Sequence, residues 1–402
     1  MFDLNKFISD YVTRRPDSMF YADIKNNSDE IRNRIDGNSI LVIGGAGSIG
    51  SSFIMSVLAY SPKSLVVVDT NENALTELTR SLRSSRQKHI PDNYVTYPMD
   101  YSSDVFAKMF RGRKGFDIVA NFSAHKHVRS EKDIYSIEAL LNNNVFHAKK
   151  LLDILCEFPP KEYFCVSTDK AANPVNIMGA SKRIMEDLIF SYSDRFPVKT
   201  ARFANVAFSN GSLPEGFLNR MLKLQPITAP CDIKRYFVSP EESGQICMLS
   251  CMLGQNREIF FPKLEEEQMM SFDRIAVDLL QAKGFEPLYC TSEEEAVCKM
   301  ELVAEGGRQY PVYFSKSDTS GEKSFEEFFT NAEKVNLDRF ISLGVIEENS
   351  PVNREQLETL VDRLKALFSD CNIEKSDIIC AMKEYLPNFE HIETGKNLDA
   401  KM

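Results

Sequence analysis

Residues 39–50 read Ser39-Ile40-Leu41-Val42-Ile43-Gly44-Gly45-Ala46-Gly47-Ser48-Ile49-Gly50. A short apolar run ends in Gly-x-x-Gly-x-x-Gly, and a helical pattern follows from about Ser48 to Tyr60. Strand, glycine turn and helix, in that order, make a phosphate-binding unit. Glycines permit the tight turn and let backbone approach a pyrophosphate. The helix amino terminus then offers N–H groups and a positive dipole end to the anion. Glycine patterns are common, so the surroundings decide. Asp69 stands 19 positions past Gly50, where a second apolar run, Leu65 to Val68, ends. That acidic residue completes the dinucleotide-binding fingerprint. A carboxylate there accepts from a ribose diol and repels a 2′-phosphate. No arginine follows closely (Thr70, Asn71 and Glu72 come next), so NAD is favoured over NADP. The expected cofactor contacts are Gly44, Gly47, Ser48, Ile49, Gly50 and Asp69. Asn71, also a helix-cap candidate, joins them, as do Asp100, Tyr101 and Ala124 farther along the chain.

Working outward, apolar runs near Tyr94–Tyr97, Phe116–Phe122, Tyr163–Val166 and Lys199–Phe203 read as further strands. Helical patterns separate them, among them one carrying Leu75, Leu78 and Leu82 and one through Ile137 to Leu152. Strands alternating with helices imply a parallel sheet covered on both faces. After Asn205 loops and short helices are expected to about Ile259, with Pro214, Pro226, Pro230 and Pro240 as breakers. Leu357, Leu360, Leu364 and Leu367 mark a helical tail. The expected fold is α/β: a Rossmann-type doubly wound parallel sheet with a smaller C-terminal substrate lobe and helical tail. The boundaries read as a helical extension over 1–37, a dinucleotide-binding domain over 38–205, a substrate lobe over 206–334 and a helical extension over 335–402.

The 402 residues are long for one core. A net charge of -10 argues against a general nucleic-acid surface, which needs a basic face. No run approaches the roughly 20 apolar residues that span a bilayer. The nine cysteines form no Cys-x-x-Cys and lie far from histidines in sequence. They read as reduced, mostly buried thiols of a cytoplasmic protein, with no metal centre.

The chemistry concentrates in Ser167-Thr168-Asp169-Lys170, at the end of the fifth strand, and in Met178-Gly179-Ala180-Ser181-Lys182. A hydroxyl, a carboxylate and an amine stand in a row. Met178 and Lys182 share a helix face, being four apart. Taken alone, Asp169-Lys170 reads as a surface ion pair and Lys182 as a solvated lysine.

The whole set reads differently. Gly44–Gly50, Lys126-His127-Val128, Ser167–Ala171, Asn173-Pro174, Met178–Arg183, Arg202-Phe203-Ala204-Asn205-Val206, Arg235-Tyr236-Phe237 and Gly321-Glu322-Lys323 occur in the order found in nucleotide-sugar 4,6-dehydratases. These belong to the extended short-chain dehydrogenase/reductase superfamily. Over about residues 38–330 the chain resembles the bacterial polysaccharide-biosynthesis branch acting on UDP-N-acetylglucosamine. The resemblance implies NAD-dependent removal of water from a nucleotide-activated N-acetylhexosamine, giving a 4-keto-6-deoxy sugar, in a homo-oligomer. It implies Lys170 as base at C5, Asp169 as acid towards O6 and Thr168 as partner of the C4 oxygen. Lys182 would hold the nicotinamide ribose. Lys126, Asn205 and Arg235 are the substrate contacts. Many relatives carry tyrosine where Met178 stands, and a thioether cannot exchange a proton; a water passing the 4-hydroxyl proton to Asp169 is the expected substitute. The chain also departs at Asn121, where histidine is usual, and at Asp318-Thr319-Ser320, where Leu-Arg-Pro is usual. Two rival readings are an epimerase or reductase, which would ordinarily use that tyrosine, and a non-catalytic NAD-binding sensor.

Overall fold

The computed structural model describes residues 2–85, 89–126, 131–317, 326–348, 352–370 and 372–392. Its centre is a nine-stranded sheet. The strands are β1 (Ser39–Ile43), β2 (Ser64–Asp69), β3 (Asn93–Pro98), β4 (Ile118–Asn121), β5 (Glu162–Val166), β6 (Val198–Ala201), β7 (Ile259–Pro262), β8 (Lys334–Asn336) and β9 (Leu343–Glu348). Their spatial order is β8-β9-β7-β6-β5-β4-β1-β2-β3. The first seven run parallel, while β9 pairs antiparallel with β7 and β8. This is a Rossmann-type doubly wound fold. Its strand order reverses between β1 and β4, the place where such sheets bind ligands.

Burial explains the strand texture. The central runs Ile40–Ile43, Leu65–Val68 and Tyr163–Val166 are buried on both faces, so they read as continuous apolar stretches. The edge strand β3 is only half-buried along its length. Helices Ser48–Val57 and Pro240–Leu253 pack closely on one face. A Cβ on Gly244 would lie 2.2 Å from the Ser52 carbonyl oxygen, so glycine is what admits the crossing.

That Pro240–Leu253 helix is 14 residues long, where loops and short helices were expected. Pro240 opens it behind a Ser239–Glu242 capping box, and Pro214 likewise opens the helix Leu213–Leu222. At a first helical turn proline has no intrahelical bond to break, so these two prolines start helices rather than interrupt them. Through this helix and β7 the chain returns to the main core within the stretch 206–334.

A second core surrounds a three-stranded parallel sheet of Glu286–Tyr289, Gln309–Ser315 and Ile227–Pro230. It gathers Phe217, Ile275, Leu279, Tyr310 and Val312 with Phe7, Ile8 and Val12 from the amino end. Farther along the amino-terminal segment, Phe20, Ile31 and Ile35 join the main core instead. The tail helices Arg354–Phe368 and Lys375–Tyr385 bury Leu357, Leu360, Leu364, Ile378 and Met382. Of the described cysteines, Cys165, Cys247 and Cys251 are buried, but Cys156, Cys231, Cys298 and Cys380 are exposed, contrary to the expectation of mostly buried thiols. The exposed four lie outside the strands, Cys380 on the solvent side of the helix Lys375–Tyr385 and the others near helix ends or in turns. Among the described residues no helix is long and apolar enough to cross a membrane.

Candidate active site

The glycine turn sits at the β1–β4 switch point. Gly44 has φ +70°, and a Cβ there would lie 2.7 Å from the Ser123 amide nitrogen. A Cβ on Gly50 would lie 2.3 Å from the Gly44 oxygen. Gly47 caps the Ser48–Val57 helix, whose first-turn amides at Ser48, Ile49 and Gly50 lie outside the intrahelical ladder. Backbone closely approached and a helix start aimed at one place fit a dinucleotide's pyrophosphate. The Ser48 hydroxyl accepts the Asn210 amide at 2.9 Å.

Asp69 ends β2. Its carboxylate accepts the Ala46 and Asn71 amides, both at 3.0 Å, and each oxygen keeps a lone pair for another donor. Asn71 caps the next helix by accepting the Ala74 amide. Asp100 is exposed beyond β3 and accepts the Ser102 amide at 2.7 Å. Tyr101 is buried and donates its hydroxyl to the Asn143 carbonyl at 3.0 Å, so it faces the protein as a wall.

The helical run expected through Ile137–Leu152 contains a π turn, Asn142–His147, between helices Ile134–Leu141 and Ala148–Leu155. Three asparagines in a row are poor helix formers, and π turns often accompany working sites. Here the turn aims two carboxamides at the loop after β4. The Asn144 Oδ1 accepts the His125 amide at 2.9 Å, and its Nδ2 donates to the His125 carbonyl and the Ser181 hydroxyl, each at 3.0 Å. Ser123 donates to the Asn143 side chain at 3.1 Å. Ala124 lies in the loop they hold, half-buried, and Lys126 is exposed beside it. His127 and Val128, like Asp318–Lys323, lie outside the described residues.

The Thr168–Lys170 row forms one bonded unit at the end of β5. The Thr168 hydroxyl donates to Asp169 Oδ1 at 2.7 Å. Lys170 Nζ donates to both Asp169 oxygens, at 3.1 and 3.2 Å. Asp169 is 5% exposed, while Thr168 and the Lys170 side chain stay partly open. Burial pulls the Lys170 pKa down, but neighbouring Asp169 and Glu326 more than offset it, and the net lies above the ordinary lysine value. The shift thus runs away from neutrality, where a resting base was expected to lie closer to it. Two carboxylates beside one ammonium are the reason.

Met178 and Lys182 lie on the helix Ile177–Phe190 and are both buried. Lys182 Nζ donates to the Val166 carbonyl at 2.7 Å and stands 3.3 Å from the Met185 sulfur. Burial lowers its pKa, offset in part by Cys165 and Glu186. In this structure the amine is turned beneath the end of β5. The helix start is braced by Glu131, which accepts the Met178 amide at 2.8 Å and meets His391 at 3.4 Å through its other oxygen.

Past the end of β6, Asn205 is half-buried and Arg235 is buried, with Arg235 donating to the Lys234 carbonyl at 2.9 Å. Behind them lies Glu326, a residue that short-range patterns do not single out. It accepts the Asn205 side-chain amide at 2.6 Å and the Tyr236 backbone amide at 2.7 Å. Burial and nearby Asp169 push its carboxyl up to about 7, against the pull of Lys170 and Arg235. Arg202, by contrast, is fully buried and bonds Glu186 and Glu333, away from any open surface. The arrangement brings a hydroxyl, a carboxylate, an ammonium and a near-neutral carboxyl to the same end of the sheet as the glycine turn, and such a set can move protons to and from a bound substrate.

A family model described as polysaccharide biosynthesis protein matches residues 40–342. The chain is 27% identical over 304 residues to the probable polysaccharide biosynthesis protein EpsC of Bacillus subtilis, covering 74% of this chain and 48% of that one. It therefore spans about half the length of that relative. It is 26% identical over 242 residues to a UDP-N-acetylglucosamine 4,6-dehydratase (inverting) of Campylobacter jejuni, covering 57% of this chain and 68% of that one. A UDP-glucose 4-epimerase of Rickettsia conorii matches at the same identity, 26% over 257 residues, covering 61% of this chain and 72% of that one. Among solved structures, Pen from Bacillus thuringiensis shares the fold with a TM-score of 0.63 at 19% identity, covering 82% of this chain and 98% of that one.

Proposed function

The chain belongs to the polysaccharide biosynthesis protein family, and from that premise we propose that it is an NAD-dependent 4,6-dehydratase of a nucleotide-activated N-acetylhexosamine. The substrate is UDP-N-acetylglucosamine and the product its 4-keto-6-deoxy derivative. The observation that carries this reading is the bonded Thr168–Asp169–Lys170 unit beside the dinucleotide cradle, with a methionine at the position of the usual tyrosine.

Gly44, Gly47, Ser48, Ile49 and Gly50 hold the pyrophosphate of NAD and Asp69 its adenosine ribose, while Asn71, Asp100, Tyr101 and Ala124 border it. Bound NAD supplies a reversible hydride store, filled from sugar C4 and emptied at C6. The residues of this chain move the protons. The Thr168 hydroxyl, donating to Asp169 at 2.7 Å, accepts from the sugar 4-hydroxyl and relays that proton to the carboxylate. This relay replaces the water expected from the sequence. Asp169, now protonated, gives its proton to the departing O6. Lys170 takes the C5 proton as a neutral amine and later returns it. Its resting ammonium first gives a proton to solvent, and the bound substrate then favours the neutral amine, because exclusion of water penalises the charged form. Met178 supplies packing and no proton. Lys182 reaches the nicotinamide ribose by swinging from the Val166 carbonyl. Asn205, Arg235 and Lys126 hold the sugar nucleotide.

Incubating the purified chain with NAD and UDP-N-acetylglucosamine tests the proposal. A product lighter by one water, with deuterium from solvent at C5, supports dehydration. An isomer of unchanged mass would instead establish epimerisation, and inertness towards a panel of nucleotide sugars would establish a binding protein.

A further inference from the structure

We propose that Glu326 is a positioning residue of the reaction, setting through a closed ring of hydrogen bonds how Asn205 and Arg235 meet the sugar nucleotide. This rests on the reading of the pocket given above. The ring has three members. Asn205 donates its side-chain amide to one Glu326 oxygen at 2.6 Å, and the Tyr236 amide donates to the other at 2.7 Å. The Asn205 backbone amide donates to the Tyr236 carbonyl at 3.2 Å, which closes the loop. Every link is local to the site, and Glu326 itself is buried.

Two consequences follow from the donor and acceptor inventory. With one N–H of its NH₂ given to Glu326, the Asn205 carboxamide is held with its oxygen and its second N–H directed elsewhere, an acceptor and a donor suited to a sugar hydroxyl. With Tyr236 fixed at its amide, the preceding Arg235 is held on its short strand, Lys234–Arg235, which pairs with Met270–Ser271. Protonating Glu326 leaves both its donors in place but removes a negative charge from beside Lys170 and Arg235. The groups that face it are Asp169 and Lys170 from the turn after β5, and Arg235 and Tyr236 from the segment beside Asn205. Because burial raises its carboxyl to about 7, this change falls near neutral pH.

The test compares the full-length chain with its Glu326→Gln and Glu326→Asp variants. Turnover of UDP-N-acetylglucosamine is measured from pH 5 to 9, and NAD binding is measured separately. A glutamine has one acceptor oxygen for two donors, so Glu326→Gln raises the KM for the sugar nucleotide by roughly tenfold or more. It also abolishes the limb of the pH profile near neutrality, with NAD affinity unchanged. Glu326→Asp restores part of the limb. Thermal melts supply a second reading. A carboxyl raised on folding contributes stability at low pH that is lost as pH rises through about 7, so Glu326→Gln flattens the decline between pH 5 and 8. An active wild type whose KM and pH profile are untouched by Glu326→Gln overturns the inference alone. A wild type inert towards every nucleotide sugar removes the site reading and this inference together.

Discussion

Two buried charge clusters lie close to the end of β5, and they use a buried glutamate to opposite ends. In one, Arg202 meets Glu186 and Glu333. Its five N–H groups make five bonds: two to Glu186 at 2.9 and 2.7 Å, two to Glu333 at 2.9 and 2.8 Å, and one to the Phe328 carbonyl at 3.0 Å. Burial alone would raise the Glu186 carboxyl, yet Arg202, Arg183 and Ser167 hold it below the ordinary value. In the other, Glu326 is bonded by two neutral donors, the Asn205 carboxamide and the Tyr236 amide, and its carboxyl rises to about 7. Burial is common to both. What differs is whether a guanidinium fork saturates the carboxylate. A saturated fork holds a carboxylate charged; neutral donors leave its charge to pH.

The sharpest way to break this contrast is Lys170→Met. It should lower turnover by about 10²–10⁴-fold, the usual worth of a general base. It should also abolish C5 exchange with solvent while NAD still binds. Retained exchange would show that another group is the base. Next comes Arg202→Met, which strands two buried carboxylates and should cost about 3–5 kcal/mol in chemical denaturation. Stability within 1 kcal/mol of wild type, on the order of a surface pair, would show the clamp to be ornamental. Smallest is Asp69→Ala, which should weaken NAD by about tenfold and NADP less, since it removes a charged acceptor. Equal loss for both dinucleotides, by calorimetry, would place Asp69 outside the ribose contact.

Much of the architecture was legible because it is local. Buried strands such as Leu65–Val68 announce themselves as apolar runs, and Gly44–Gly50 carries its own steric demand. The Thr168–Lys170 row was legible for the same reason: three chemical groups adjacent in sequence are adjacent in space. Four features escaped. Pro214 and Pro240 read as breakers, although at a first turn proline begins a helix. The π turn at Asn142–His147 looks helical in its apolar spacing, and only the asparagine triplet betrays it. Glu326 could not be read, because its partners Asn205 and Tyr236 are far away in sequence and only the fold brings them to it. The Lys170 shift was missed for the same cause, since it depends on that distant carboxylate.

The brace at Glu131 has a practical side. Beyond the last helix Phe389 is buried, the Ile392 amide donates to the Val175 carbonyl at 3.0 Å, and His391 meets Glu131. The same carboxylate takes the Met178 amide one turn ahead of Lys182. Truncation that removes residues 389–392 would strip the His391 and Ile392 contacts from the start of the helix that carries Met178 and Lys182. Expression vectors and immobilisation chemistry for this protein should leave those residues in place.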